Sequence, residues 1–197
     1  DCYTVSLVGY TNAGKSTLFN ALSGARTYAA DRLFATLDPK LKRLPGAGAA
    51  DLVLIDTVGF IRDLPHDLVA AFRATLEETL ASDLLLVVVD AADPEHDEQL
   101  LEVRKVLAEI GADAIPAVVV CNKIDRAGGE PRVDRGSDGA VERIWVSAAT
   151  GAGVAALLET LQAAARSQVQ RVELFVPVHA PQQRAQLHRL GVVVGER

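Results

Sequence analysis

Residues 8–17 read V-G-Y-T-N-A-G-K-S-T, and this stretch decides the fold. It matches the phosphate-binding pattern G-x-x-x-x-G-K-[ST], whose fixed positions are Gly9, Gly14, Lys15 and Ser16 here. Glycines let successive backbone N–H groups curve around a polyphosphate, and the N-terminus of the following helix adds partial positive charge. In such loops the lysine reaches the β- and γ-phosphates, and the hydroxyl is a ligand of Mg²⁺. The loop therefore predicts nucleotide contacts from Thr11, Asn12, Ala13, Gly14, Lys15, Ser16 and Thr17.

Short apolar runs alternate with helical stretches along the chain. They predict strands at 5–8, 37–44, 52–55, 84–89, 117–121 and 143–146, and helices at 14–28, 67–81, 95–110 and 153–166. This alternation is typical of an α/β fold with a mostly parallel sheet and helices on both faces. The tight turn at 46–48 requires the strand at 37–44 to be antiparallel to the next one. Residues 126–139 are rich in turn formers and are predicted to form a surface loop.

The chain is predicted to contain two parts. Residues 1–167 suit one nucleotide-binding domain, and a strand-like alternation restarts at 169–178. Residues 168–197 are therefore predicted to belong to a small α+β domain at the C-terminal end. The chain contains no methionine, which indicates a fragment of a longer protein.

Composition excludes several classes of protein. The chain has 197 residues and is 49% hydrophobic, which is enough for a buried core. No apolar stretch approaches the roughly 20 residues that span a bilayer, and Cys2 and Cys121 suit no disulfide framework. Cys121 lies in an apolar strand, so we expect a reduced, cytoplasmic protein. We also expect it to be a monomer. The net charge is −6, and because 166–197 hold five arginines against two glutamates, residues 1–165 carry −9, a poor match for bare nucleic acid.

Two later motifs indicate which base the bound nucleotide carries. Residues 122–125 read N-K-I-D directly after a predicted strand, where α/β sheets bind ligands. The Asp125 carboxylate can accept hydrogen bonds from the N1–H and N2–H₂ groups of guanine, a pattern that adenine does not offer. Lys123 is expected to lay its stem over the base, and Asn122 to link this loop to the phosphate loop. The S-A-x-x-G loop at 147–151 is expected to approach the guanine oxygen through Ser147, Ala148 and Ala149.

A fourth motif lies between the phosphate loop and the N-K-I-D motif. Residues 52–59 read L-V-L-I-D-T-V-G, an apolar strand that ends in Asp56, with Gly59 three residues later. Asp56 is predicted to hold Mg²⁺, and the Gly59 N–H is predicted to contact the γ-phosphate and to sense its loss. Together the motifs predict a guanine-nucleotide switch with the Ras-like P-loop GTPase fold.

The motifs resemble one family closely. The phrases at 9–22, 33–39 (L-F-A-T-L-D-P) and 56–61 are similar to the HflX family of bacterial GTPases. The resemblance implies a GTPase that binds the large ribosomal subunit, both rRNA and protein, and splits stalled ribosomes. It also implies that Thr36 is the switch I residue that closes on Mg²⁺ and the γ-phosphate, although Thr27 is a second candidate from the sequence alone. The family's N-terminal domain, implicated in ribosome contact, has no counterpart in this chain.

Two residues bear on the rate of hydrolysis. Phe60 occupies a position that often carries the glutamine that orients the attacking water. A phenyl ring cannot replace that amide, so we expect slow intrinsic hydrolysis with catalytic groups supplied by a partner or an ion. Asn12 is typical of GTPases that bind K⁺ beside the phosphates, or it braces the loop. Lys15, Thr36 and Gly59 are the candidate catalytic residues, and Ser16, Thr36 and Asp56 are the candidate metal ligands.

Two alternatives stay open at this point. One is a ribosome-assembly or tRNA-modification GTPase, which shares the phosphate loop but lacks the F-A-T-L-D phrase at 34–38. The other is a nucleotide-dependent docking module with negligible hydrolysis, which Phe60 would permit.

Overall fold

The computed structural model describes residues 2–24, 40–44, 51–57, 59 and 79–168, with four isolated residues, Gln182, Gln183, Ala185 and Arg189. Several predictions concern residues outside this set. They are the switch I threonine at Thr36, its competitor Thr27, the aromatic residue Phe60, most of the helix at 67–81 and the C-terminal domain.

The described strands form one sheet of seven. Their order across the sheet is β2-β3-β1-β4-β5-β7-β6. The strands are β1 Cys2–Val8, β2 Lys40–Leu44, β3 Asp51–Asp56, β4 Leu84–Asp90, β5 Ala117–Asn122, β6 Arg132–Arg135 and β7 Val141–Trp145. Neighbouring strands are parallel from β3 through to β7. The outer pairs β2–β3 and β6–β7 are antiparallel. The predicted α/β fold with a mostly parallel sheet and an antiparallel strand near its start is confirmed.

Helices cover both faces of this sheet. They are α1 Lys15–Ser23, α2 His96–Glu109, α3 Ile124–Ala127 and α4 Val154–Ser167. Strand β4 is apolar up to its last residue, Asp90, because both of its faces are buried. Leu86 and Val88 pack into one core cluster with α1 and α4. The alternate residues Leu85 and Val87 pack into a second cluster with α2. A strand buried on both faces has no polar side, which is the signature of a parallel sheet between two helical layers.

Two predicted elements need correction. The helix predicted at 14–28 ends at Ser23, because Gly24 adopts a left-handed conformation with φ 63° that terminates the helix. The loop predicted at 126–139 contains the strand β6. That strand reads R-V-D-R and lies at the edge of the sheet, so it buries little and carries no apolar pattern. Short, charged edge strands also avoid pairing with the edge of another sheet.

The sheet brings the functional loops together. Strands β1, β3, β4, β5 and β7 are parallel to one another, so their carboxyl ends lie at one edge. The phosphate loop follows β1, and Asp56 ends β3. The base-reading motif follows β5, and Ser147 comes shortly after β7. Ligands of open α/β sheets bind at this edge.

Candidate nucleotide-binding site

The phosphate loop is a close-packed turn between β1 and α1. Gly9 has φ 141°, and a Cβ added there would lie 2.2 Å from the Val88 carbonyl oxygen. Gly14 has φ 95°, and an added Cβ would lie 2.3 Å from Asn122 Nδ2. Real Cβ atoms do not approach other heavy atoms this closely, and left-handed backbone is strained for residues with a side chain. Both glycines are therefore required by the shape of the loop.

Lys15 lies inside the curve of the loop. Its ammonium donates to the carbonyl oxygen of Gly9 at 3.0 Å and to that of Tyr10 at 2.8 Å. The residue is only 6% exposed, and this burial lowers the pKa of Lys15 to about 8, an effect that the nearby Asp56 partly opposes. Burial without a matching anion disfavours the charged form of a lysine. A polyphosphate placed in this loop would supply that anion.

Two oxygen donors lie beside the loop. The Ser16 hydroxyl donates to Asp56 Oδ2 at 2.7 Å, and Asp56 is fully buried at the end of β3. The next residue is locked in place, because the Thr57 hydroxyl donates to the Leu7 carbonyl oxygen at 2.6 Å. A hydroxyl and a carboxylate are hard oxygen ligands of the kind that Mg²⁺ prefers. The chemistry of this donor pair therefore fits the predicted metal site.

Gly59 lies against the phosphate loop. A Cβ added at Gly59 would lie 2.8 Å from Thr11 Cγ2 and 2.9 Å from Lys15 Nζ. The backbone of this residue thus approaches the lysine that is predicted to hold the γ-phosphate. At this position the Gly59 N–H would be close to a γ-phosphate that Lys15 holds.

Asn122 joins three loops. Its Nδ2 donates to the Ala13 carbonyl oxygen of the phosphate loop at 3.0 Å. Its Oδ1 accepts from the Ala148 N–H at 2.9 Å. The side chain is 1% exposed, so both hydrogen bonds are made away from water. Buried polar groups that lose such partners are destabilising, which makes this amide a rigid connection.

Asp125 is held by the last of these loops. The Ser147 hydroxyl donates to Asp125 Oδ1, and the Thr150 N–H donates in turn to Ser147 Oγ at 3.2 Å. Ser147 is fully buried, whereas Ala149 is exposed. This chain of hydrogen bonds orients the carboxylate that is predicted to read guanine.

Lys123 is fixed at both ends. Its backbone has φ 65°, a left-handed conformation that is uncommon for a residue with a side chain. Its ammonium lies 2.6 Å from the Asn12 carbonyl oxygen and 2.7 Å from Asp90 Oδ2. The aliphatic stem is thus stretched between the base-reading loop and the phosphate loop.

Most of the predicted site residues meet in this region. Thr17 follows Ser16 in the first turn of α1, and Ala149 lies in the loop after β7 with an exposed side chain, so the contacts predicted for these two residues stay predictions. Thr36 lies outside the described residues.

Sequence reasoning missed two connections. Asp90 ends β4 and pairs with Lys123, and Tyr10 donates its phenol proton to the Glu102 carboxylate on α2. Asp90 could have been found, because it too is a polar residue at the carboxyl end of a parallel strand. The contact between Tyr10 and Glu102 has no signal in the sequence.

The comparisons with known proteins agree with this geometry. A family model described as "50S ribosome-binding GTPase" matches residues 4–123. GTPase HflX of Escherichia coli (strain K12) is 51% identical over 197 residues, which are 100% of this chain and 46% of that protein. GTPase HflX of Magnetococcus marinus is 46% identical, over 99% of this chain and 45% of that protein. The chain belongs to the HflX family of GTPases.

Solved structures support the same fold. A GTP-binding protein of the hyperthermophilic archaeon Sulfolobus solfataricus, in complex with GDP, is 31% identical with a TM-score of 0.66. The match covers 85% of this chain and 53% of that one. The FeoB G-domain of Methanococcus jannaschii is 28% identical with a TM-score of 0.59, over 84% of this chain and 99% of that one. These structures confirm the P-loop GTPase fold, and the HflX relatives confirm the resemblance seen in the sequence.

Two further facts concern the extent of the match and the helices of the chain. The chain spans less than half the length of the first HflX relatives, 46% and 45%. In the ranges that the structure describes, no helix combines the length and apolar character needed to cross a membrane.

Proposed function

We propose that this chain is the GTP-binding and GTP-hydrolysing domain of a ribosome-associated switch protein. One observation carries the proposal. The buried Asn122 amide bonds the phosphate loop at Ala13 and the third loop at Ala148, so the phosphate-binding and base-reading parts form one site. Asp125 in that site supplies the carboxylate that selects guanine over adenine.

The geometry of the loops supports a specific set of nucleotide contacts. The phosphates lie along the backbone of residues 11–17, with the Lys15 ammonium on the β- and γ-phosphates. The base lies against the Lys123 stem, with its hydrogen-bonding edge toward Asp125 and with Ser147, Ala148 and Ala149 beside it. Gly59 supplies a backbone donor to the γ-phosphate.

Mg²⁺ is the proposed metal cofactor. Ser16 and Asp56 would hold it, together with Thr36 from switch I. When bound, Mg²⁺ supplies positive charge that offsets the charge developing on the phosphates. Lys15 adds a second positive group at the same place, and the burial of this lysine strengthens its attraction for an anion.

Hydrolysis is proposed to be slow without a partner. Phe60 cannot orient a water molecule, so the missing catalytic group must come from another molecule or from an ion. K⁺ near Asn12 is one proposed source, since a cation beside the phosphates would act like an arginine finger. A K⁺ site would make turnover faster in K⁺ than in Na⁺.

The large ribosomal subunit is the proposed partner, in the cytoplasm, with the protein as a monomer. The HflX relatives and the description of the matching family as ribosome-binding support this partner. The proposed action is the splitting of stalled ribosomes. It needs the longer protein, since the family's N-terminal domain is implicated in ribosome contact.

The test is GTP turnover by the 197-residue chain with and without large ribosomal subunits, first in K⁺ and then in Na⁺. Asp125→Asn should weaken GTP binding at least about 100-fold, because the amide can no longer accept both guanine donors. Asp113→Asn is the matched control, since Asp113 is exposed and precedes the amino-terminal end of β5, opposite the site.

The outcomes separate the parts of the proposal. Stimulation by large subunits supports the ribosomal role, and equal rates in K⁺ and Na⁺ exclude the K⁺ site. Tight GTP binding with no hydrolysis under any condition would indicate a docking module instead. Failure to bind GTP would overturn the proposal as a whole.

A further inference from the structure

Asp90 belongs to none of the guanine-nucleotide motifs of the sequence. It ends β4, and the register of the sheet places it opposite Asn122, the residue before Lys123. The backbone links the same two strand ends, because the Ala91 N–H donates to the Asn122 carbonyl oxygen at 2.7 Å. Asp90 is thus attached to the base-reading loop through the sheet itself.

The two carboxylate oxygens of Asp90 have different partners. Oδ1 accepts from the Ala92 N–H at 3.0 Å and so shapes the turn that follows β4. Oδ2 lies 2.7 Å from the Lys123 ammonium. The side chains of Lys123 and Asp90 are 20% and 23% exposed, so the ion pair is largely shielded from water. Shielding makes such a pair stronger than one on an open surface.

The Asp90 contact determines where the Lys123 stem lies. A free lysine side chain samples many rotamers and loses that freedom when it is ordered. Here the ammonium is held between Asp90 on one side and the Asn12 carbonyl oxygen on the other. The stem is therefore ordered by contacts within the protein, and a ligand does not have to order it.

From this arrangement we propose that Asp90 is a positioning residue that slows the release of guanine nucleotide by holding Lys123 across the base site. The inference rests on the proposed function, because it assigns the base to the Lys123 stem. Asp90 itself does not touch the nucleotide. It acts on the nucleotide only through the lysine ammonium, and it does so from a strand that carries no recognised nucleotide motif.

The obvious alternative is that Asp90 only shapes its turn. Asp90→Asn separates the two roles, because Asn keeps the Oδ1 acceptor for Ala92 and removes the negative charge opposite Lys123. Asp93→Asn is the matched control. Asp93 lies in the same turn, and its carboxylate accepts from the Glu95 N–H at 2.9 Å and from Gln99 Nε2 at 2.8 Å.

The experiment measures the dissociation rate of fluorescently labelled GDP from the 197-residue chain. Asp90→Asn should release GDP about tenfold faster, since a hydrogen bond to a charged group is lost. Asp93→Asn should release GDP at the wild-type rate. Lys123→Ala should release GDP faster as well, and adding Asp90→Asn to Lys123→Ala should cause no further change. Such non-additivity is the signature of a residue that acts through another.

Each result decides the question. An unchanged rate in Asp90→Asn, or the same acceleration with and without Lys123, would overturn the inference. Should Asp90→Asn fail to fold, Asp90→Ser, whose hydroxyl is a neutral acceptor for the same turn, gives the same comparison. A wild-type chain that binds no labelled GDP would overturn the proposed function, whereas normal binding with an unchanged release rate would overturn this inference alone.

Discussion

The phosphate loop and the base-reading loop position their groups by different physical means. In the phosphate loop the backbone is in close contact with its neighbours, since a Cβ on Gly9 would lie 2.2 Å from the Val88 carbonyl oxygen and one on Gly14 would lie 2.3 Å from Asn122 Nδ2. In the base-reading loop the side chains are held by hydrogen bonds to other loops, as Lys123 is held by Asp90 and Asn12. The first region should therefore tolerate no added atom. The second should tolerate changes of equal size but should depend on distant partners.

The largest effect is expected for Gly14→Ala. The added Cβ collides with Asn122 in a backbone of positive φ, so nucleotide affinity should fall roughly 100-fold or more. Equilibrium titration with labelled GDP measures this affinity. Gly111→Ala is the matched control, because Gly111 has φ 79° but no atom within 4 Å of its added Cβ. Equal losses of affinity in the two variants would mean that the close contact at Gly14 is not the cause.

A smaller effect is expected for Asn122→Ala, which breaks the link between the two regions. The variant loses the bonds to Ala13 and Ala148 and leaves both backbone groups without this partner. The free energy of unfolding should fall by about 2 kcal/mol, and GDP affinity should fall with it. Urea denaturation measures the first quantity. An unchanged free energy of unfolding in Asn122→Ala, or a lower one with unchanged GDP affinity, would contradict the idea that this amide links the two loops.

Lys15 provides a test of electrostatics in the phosphate loop. Its pKa is lowered to about 8, below the value of about 10.4 in an unfolded chain. Between these values the unfolded chain holds a proton that the folded chain lacks, so stability should rise with pH across this window. Nucleotide phosphates favour the ammonium form, so binding at about pH 8.5 should take up a proton, and affinity should fall as pH rises further.

Calorimetry in buffers of different ionisation enthalpy measures that uptake. Lys15→Arg is the control, since a guanidinium does not titrate in this range and should show no uptake at this position. An equal uptake by wild type and Lys15→Arg would assign the proton to another group.

The smallest effect is expected for Tyr10→Phe. This variant removes only the hydroxyl that bonds Glu102, and the Tyr10 carbonyl still accepts from Lys15. The backbone of the loop therefore keeps its shape, and GDP affinity should change by less than about fivefold. Glu102→Gln should have a similar effect when measured by the same titration. A loss as large as that of Gly14→Ala would show that the phosphate loop also depends on side-chain support.

The sequence was sufficient for much of the fold. The continuous apolar runs predicted β4 and β5, because a strand covered on both faces has no polar side. It was insufficient for β6, where an edge position removes the hydrophobic pattern, and for the end of α1, where Gly24 was not recognised as a cap. Both misses concern places where little apolar surface is buried.

The sequence by itself determined the chemistry of the site. Motif spacing placed the glycines, Lys15, Asp56 and the N-K-I-D residues at strand ends, because short patterns encode local backbone shape. Only the tertiary structure decided how these groups are held. The partners of Asn122 and Lys123 in the phosphate loop lie 109 and 111 positions away, and Asp90 lies 33 positions from Lys123. Such contacts depend on the order and register of the strands, which no local pattern contains.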